Sequence, residues 1–427
     1  MTKNRNVRVL VGAQWGDEGK GKWIDALTLE ADLVVRYQGG NNAGHTLIVD
    51  GIKIVLHLLP SGVLHKNRKG ALAAGVVINP TKILEEFDHV KEKFAHVDVT
   101  PENLWISGRA HVITPWHIAL DTKAESAAQT PIGTTKRGIG PTYSDKTART
   151  GLRMGEFVEE EYRMQWVQRM RETAHGFAEF YEKNQDQWTE FHNSATRLTP
   201  YVCDAEQRIR ESVKNGESVL IEGAQGALLD IDHGTYPFVT SSPTTVGGAC
   251  QSIGLPPQHI TDSVGIAKAY LTRVGTGPFP TELGDDWGKW MQEKGFEFGA
   301  TTGRPRRCGW MDAVALRYAV DINGLNAVIM NKIDILTGMP EIKLCVAYKH
   351  PTLGELKNMP WDSKVLNECE PVYKTFKGWK TDVPKSGTFD DLPEEIKIYI
   401  KAIEEEIGCE IRMMGTGPGR CEAVYRK

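Results

Sequence analysis

The sequence has no CxxC pair, no HExxH motif, no apolar run near the roughly 18 residues of a membrane helix, and no surplus of either charge. Each absence removes a class of protein. The seven cysteines (Cys203, Cys250, Cys308, Cys345, Cys369, Cys409 and Cys421) are scattered and odd in number. They argue against a disulfide framework or a structural zinc site, and for a reducing compartment. The 51 basic and 55 acidic residues leave a formal net charge of −4, too little basic field to grip a nucleic-acid backbone or an anionic membrane. Before Gly12 the only apolar run is residues 9–11, too short for a signal-peptide core. The expectation is a soluble, cytoplasmic protein with neither nucleic acid nor membrane as partner. Hydrophobic residues at 40% and charged residues at 25% over 427 positions suit a globular chain with a sizeable core.

Glycine departs from that ordinary composition. There are 43, a share of about 10% against a usual share of about 7%. Seven short segments (12–22, 38–46, 133–140, 223–226, 275–277, 299–309 and 415–419) hold 20 of them. The surplus is local, gathered where backbone approaches a ligand closely or a loop has to close.

Residues 7–11 read as a buried strand, followed by a glycine loop and a helix over 20–30. Residues 31–37, 52–59 and 71–78 read as further strands. Residues 81–97 space their apolar side chains helically, with Thr81 as the cap. The stretch 156–215 is charged, aromatic and helical, and reads as an insertion that breaks near Thr199-Pro200. Strand signals resume at 218–221 and 327–330, and 341–400 reads as a polar peripheral lobe. The alternation predicts an α/β fold in one elaborated domain over 1–427. Its parts are a large, mainly parallel central sheet with a phosphate-loop-like nucleotide site, the helical insertion and peripheral lobes.

The loop GAQWGDEGKGK (12–22) lies between strand and helix. Glycines there turn backbone N–H groups inward, the helix N-terminus adds partial positive charge, and a lysine can bridge phosphate oxygens. The common spacing GxxxxGK[ST] is not met, because Gly21 stands where a metal-binding Ser or Thr would. Asp17 is out of place among anion-binding amides unless it holds a metal or moves a proton; a plain helix N-cap is an equal alternative. Asn331-Lys332-Ile333-Asp334 follows an apolar strand. A carboxylate there can accept hydrogen bonds from N1–H and the 2-amino group of guanine, which adenine does not offer. Arg304, Arg306 and Arg307, stiffened by Pro305, present forks suited to carboxylate or phosphate. His45 closes the second glycine loop, QGGNNAGHT, as a general-acid candidate.

GAQWGDEGKGK (12–22), QGGNNAGHT (38–46), GTTKRGIGPTYSDK (133–146), RVGTGPFPTE (273–282), TTGRPRRCGW (301–310) and NKID (331–334) together resemble the adenylosuccinate synthetase family, in the family's order and over essentially the whole chain. The resemblance implies a GTP-dependent carbon–nitrogen ligase. It would join IMP and L-aspartate into adenylosuccinate, GDP and phosphate through 6-phosphoryl-IMP, the first committed step from IMP to AMP. It implies catalytic roles for Asp17, His45 and Lys20. IMP would be bound by Asp17, Lys20, Asn42, His45, Thr135, Gln225, Thr240 and Arg304. Arg149 would reach the partner's IMP across a homodimer interface. Ala300, Thr301, Thr302, Arg304 and Arg306 would capture aspartate. GTP would lie against Gly16, Asp17, Glu18, Gly19, Lys20, Gly21, Lys22, Gly44, Thr46, Arg306, Lys332, Asp334, Gly415 and Gly417, with Mg2+ held by Asp17 and Gly44. Gly415 stands where some relatives have Ser, and Lys136 where some have Gly.

A regulatory GTPase would share the phosphate loop and NKxD, but Asp334 lies over 300 residues beyond Asp17, too far for a small switch domain. An ATP-using ligase or kinase, with NKID accidental, is a second alternative. Nucleotide preference and dependence on IMP and aspartate separate the three.

Overall fold

The computed structural model describes residues 6–49, 51–127, 133–299 and 303–426. The apolar run NVRVLVG forms β1 (Asn6–Gly12), the middle strand of an 11-stranded sheet. The remaining strands, in chain order, are β2 (Leu33–Arg36), β3 (Lys69–Leu72), β4 (Leu104–Ser107), β5 (Val202–Cys203) and β6 (Ser218–Glu222). They continue with β7 (Asp262–Lys268), β8 (Ala327–Asn331), β9 (Gly387–Thr388), β10 (Ile411–Gly415) and β11 (Ala423–Tyr425). Across the sheet they run β9-β11-β10-β8-β7-β1-β6-β2-β3-β4-β5. Neighbours are parallel throughout, except β10 with β11.

Parallel strands are covered on both faces, which is why these segments read as continuous apolar runs rather than alternating ones. Val7, Val9 and Val11 pack in one layer with Tyr37, Ala249 and Ile253. Leu10 points into the other with Trp23, Ile24, Leu27 and Ile329. Buried charges stand at the strand ends: Arg36 closes β2, Glu222 closes β6 and Lys268 closes β7. These ends share one edge of the sheet, and the glycine loops leave from the same edge. In open parallel sheets a ligand crevice forms outside the C-terminal strand ends where connections diverge. Here β1, between β6 and β7, is that point.

The insertion is helical as expected, with helices Glu160–Thr173, Phe177–Lys183, Gln185–Leu198 and Ala205–Asn215 and a short turn at Thr199–Tyr201. Trp166, Phe177, Trp188 and Phe191 are buried in its core. Two local expectations need correction. The strand expected over 71–78 is split: β3 ends at Leu72 and Val77–Ile78 pairs separately with His111–Val112. The chain turns between them where Gly75 crosses so close over Tyr37 O that a side chain would collide. The following helix is Pro80–Lys93, and its cap is Asn79, not Thr81. The Asn79 side chain accepts from Lys82 N–H at 3.2 Å, and Pro80 fills a first-turn position that needs no N–H.

Within 341–400, strand Glu341–His350 pairs with Gly354–Leu356 and Glu370–Lys377 in a second sheet. Ile342 and Leu344 from it, with Ile396 and Tyr399 from helix Glu394–Ile407, are buried in the main core. Among the described residues no helix is long and apolar enough to cross a membrane.

Candidate active site

A cavity of about 810 Å³ opens at the C-terminal edge of the sheet, walled by the loops after β1, β2, β6, β7, β8 and β10. The first loop turns through left-handed backbone at Gly16, Asp17 and Gly19 (φ 83°, 59° and 86°). Gly19 is the N-cap of helix Lys20–Thr28, with no side-chain cap bond. Asp17 is therefore not the helix cap, and its carboxylate lies 2.8 Å from Arg306 Nε. Gly21 replaces the usual Ser or Thr for a packing reason: a Cβ there would come within 2.7 Å of Thr46 O, on the hairpin strand His45–Val49. Helix and hairpin can approach only because that side chain is absent.

Glu18 does not line the cavity, contrary to a nucleotide-contact role for its side chain. Its fully buried carboxylate accepts from Gln14 N–H (3.1 Å) and Gly16 N–H (2.8 Å), so it shapes the loop from behind. It also receives Lys20 Nζ at 2.6 Å, and the same ammonium donates to Gln225 O. Asn331 bolts the guanine-type motif to the phosphate loop. Its Nδ2 donates to Glu18 O at 2.6 Å, and its Oδ1 accepts from Trp23 Nε1 at 2.6 Å.

On the cavity wall His45 is buried, with Nδ1 3.5 Å from Glu222 Oε1. Glu222 is also 3.6 Å from Arg36 Nε and accepts from Ser61 Oγ at 3.2 Å. Burial opposes ionisation of Glu222, but His45 and Arg36 outweigh it and hold the carboxyl below its usual range. Burial pulls His45 below the usual imidazole range, while Glu222 resists that shift. His45 Nε2 is buried without a hydrogen-bond partner among the described residues. An oriented ring thus keeps one nitrogen for a ligand. The loop before it is held by His57, whose Nδ1 donates to Ala43 O at 2.6 Å. Glu86 in turn accepts the backbone N–H groups of His57, Leu58 and Leu59 (2.9–3.1 Å).

Asp334 also lines the cavity, and its Oδ1 is buried without a partner among the described residues. Burial raises its carboxyl above the usual range. Behind the lining residues Arg306 and Lys332, fully buried Glu297 accepts from Tyr270 Oη (2.6 Å), Arg306 Nη1 (2.7 Å) and Lys332 Nζ (2.6 Å), with Lys268 Nζ at 3.3 Å. Burial opposes the Glu297 anion, but Lys268, Lys332 and Arg306 keep it ionised well below the usual carboxylate range. Burial pulls the Lys268 ammonium down to about 8, with Glu297 holding it up.

The cavity brings together Gly16, Asp17, Gly19, Lys20, Gly21, Lys22, Asn42, Gly44, His45, Thr46, Thr135, Gln225, Thr240, Arg304, Arg306, Lys332, Asp334 and Gly417. Gly415 does not line it; a Cβ there would collide with Asn331 Oδ1, so the Ser of some relatives would not fit without movement of Asn331. Arg149 is exposed at the C-cap of helix Ile139–Ala148 and lies off the cavity within this chain. Ala300, Thr301 and Thr302 lie outside the described residues. Sequence reasoning missed Glu222, Arg36, Lys268 and Glu297. Three of these are charges closing apolar strands, and that was the available signal.

A family model described as adenylosuccinate synthetase matches residues 9–424. The chain is 45% identical over 433 residues to a protein of Caldicellulosiruptor bescii named adenylosuccinate synthetase, covering 99% of this chain and 100% of that one. It is 46% identical over 422 residues to the protein of that name from Syntrophobacter fumaroxidans, covering 97% and 98%. Its structure is similar to that of the fully ligated adenylosuccinate synthetase from Plasmodium falciparum, with a TM-score of 0.92 and 41% identity over 99% of this chain and 100% of that one.

Proposed function

Because the chain belongs to the adenylosuccinate synthetase family, we propose that its cavity joins IMP to L-aspartate using GTP, releasing adenylosuccinate, GDP and phosphate. One observation carries this reading. A single cavity is lined by Asp334, whose Oδ1 could accept from guanine, by His45, whose Nε2 faces no protein partner, and by the phosphate loop, both atoms being buried without a hydrogen-bond partner among the described residues.

The 6-oxygen of a purine is a poor leaving group, so it must be phosphorylated before an amine can replace it. Asp17 takes the N1 proton of IMP, charge moves to O6, and O6 attacks the γ-phosphorus of GTP as GDP leaves. The aspartate amine then attacks C6, phosphate departs, and the amine proton is lost. Lys20 moves from Glu18 to the transferring group, and the loop amides stabilise its charge. Burial disfavours the protonated form of His45 in the ligand-free site. Arriving phosphates add to Glu222 in favouring its protonated form, so Nε2–H can then donate to the phosphoryl region.

Among the described residues no group of three or more His, Cys, Asp or Glu side chains could hold a metal ion. The donors at hand, the 39% exposed Asp17 carboxylate and the Gly44 carbonyl, suit Mg2+ that takes its other ligands from phosphates and water. Bound there, Mg2+ would offset phosphate charge. Arg306 pairs with Asp17 beside these donors, and with Arg304 it supplies forks for the aspartate carboxylates. The exposed Arg149, left-handed at φ 64°, fits a role in a partner's IMP site within a cytoplasmic homodimer.

The test is an assay that omits IMP, aspartate or GTP in turn, following adenylosuccinate by ultraviolet absorbance. Product should require all three, and ATP should not replace GTP. GTP hydrolysis without IMP and aspartate would instead make the protein a switch.

A further inference from the structure

Phe296 is left unused by the reaction as described. Its φ is 50°, in the left-handed region that favours glycine, and it is 81% exposed. The conformation is sterically disfavoured for a bulky L-residue, and the exposure leaves an aromatic ring in water. Neither serves packing. Asn would adopt the same backbone with less strain and suit the solvent better.

The backbone on both sides is pinned. Gly295 O accepts Lys332 Nζ at 2.7 Å, Glu297 N–H donates to Gln292 O at 2.8 Å, and the Glu297 carboxylate is gripped by Lys332, Arg306 and Tyr270. Strain of this kind persists where surrounding structure over-determines it, and it clusters at ligand clamps. The pinning fits that pattern, because Phe296 lines the active-site cavity together with Lys332, Asp334 and Ile335. Asp334 can read only the edge of a purine. The base also has two broad faces, and an aromatic ring in the same cavity, on a corner whose Gly295 carbonyl is tied to Lys332 two residues from Asp334, can cover one of them.

We propose that Phe296 is a stacking platform for the guanine base of GTP, held in a strained conformation by the Glu297 cluster for that purpose. This rests on the assignment of GTP to the cavity. Failure of that assignment would show separately, as a wild-type protein that does not consume GTP with IMP and aspartate.

Steady-state kinetics and ligand-free thermal unfolding of Phe296→Asn, Phe296→Leu and Phe296→Tyr test it. Phe296→Asn should raise Tm by relieving strain, yet raise KM for GTP by about 5-fold or more. Its kcat and its KM values for IMP and aspartate should stay close to wild type. Phe296→Tyr should keep the GTP KM, and Phe296→Leu should raise it. An unchanged GTP KM in Phe296→Asn overturns the proposal, leaving Phe296 a strained surface residue. A rise confined to the aspartate KM overturns it in favour of the neighbouring loop. A GTP KM in Phe296→Leu equal to wild type reduces the ring to an apolar cover and overturns stacking.

Discussion

Asp334→Asn separates recognition of guanine from everything else in the site. The wild-type carboxylate has one oxygen buried without a partner among the described residues and is raised above its usual range by burial. The ligand-free protein therefore carries a cost that a bound base removes. Guanine offers N1–H and a 2-amino N–H to this carboxylate, and hydrogen bonds to charged groups contribute about 1.5–3 kcal/mol each. Asn keeps one acceptor and turns an N–H toward a donor. The loss is about 3 kcal/mol, or about 100-fold in KM for GTP. Xanthine presents N1–H beside a 2-oxygen, which the Asn amide complements, so XTP should gain on GTP. Stability should move oppositely. A carboxyl whose folded value is raised loses stability as pH climbs from its usual value through the raised one, and Asn has no such loss. The ligand-free variant should thus melt higher than wild type at neutral pH. The assay is KM for GTP and XTP beside thermal unfolding without ligand. An unchanged GTP/XTP ratio would refute the reasoning outright, even if stability rose.

Three other predictions address the reacting end. Asp17→Asn should lower kcat by about 10²–10⁴-fold with IMP and GTP binding largely kept, measured by steady-state kinetics and ligand titration; near-normal turnover would remove Asp17 from the proton step. Glu222→Gln should destabilise the fold by about 3–5 kcal/mol, because Arg36 loses its buried counter-charge, as read by denaturant unfolding. Glu222 is held below its usual range, so in wild type its contribution is present above the usual carboxylate value and is lost as pH falls through the lowered one. Without it the His45 value should fall further, and the alkaline limb of the kcat profile should move to lower pH; an unmoved limb would argue that His45 does not act protonated. Mixing Arg149→Leu with Asp17→Asn, each inactive alone, should restore activity through hybrid dimers. Exchange without recovery would assign Arg149 to its own chain.

The sequence made those parts legible whose signals are local. Residues 7–11 were readable as β1 because buried parallel strands have no polar face. The helix over 20–30 was readable because it starts where the first glycine loop ends. NKID was readable because the motif follows the apolar run 327–330. What escaped were ion partners that the fold brings together: Glu222 meets Arg36 and His45, and Glu297 meets Lys268 and Lys332. A buried charge has no signature of its own until its counter-charge is placed. Gly21 shows the same limit: its identity depends on Thr46 O, which only the folded hairpin brings within reach. The Asn79 cap was missed for a smaller reason, since Pro80 moved the start of the helix back.

Lys22 Nζ donates to Gly417 O at 2.8 Å and Glu422 O at 2.6 Å, which joins segments 395 and 400 residues apart. That junction sets the order in which the site can exist. A growing chain makes its phosphate loop almost at once, but the wall against which Lys22 rests arrives only when β10 has been synthesised and laid beside β8. Until then the nucleotide pocket lacks one side, however well the central strands have formed. Closing so long a loop is slow, and it comes late. A nascent or C-terminally clipped chain therefore has the phosphate loop and Asp334 but lacks the C-terminal side of the cavity.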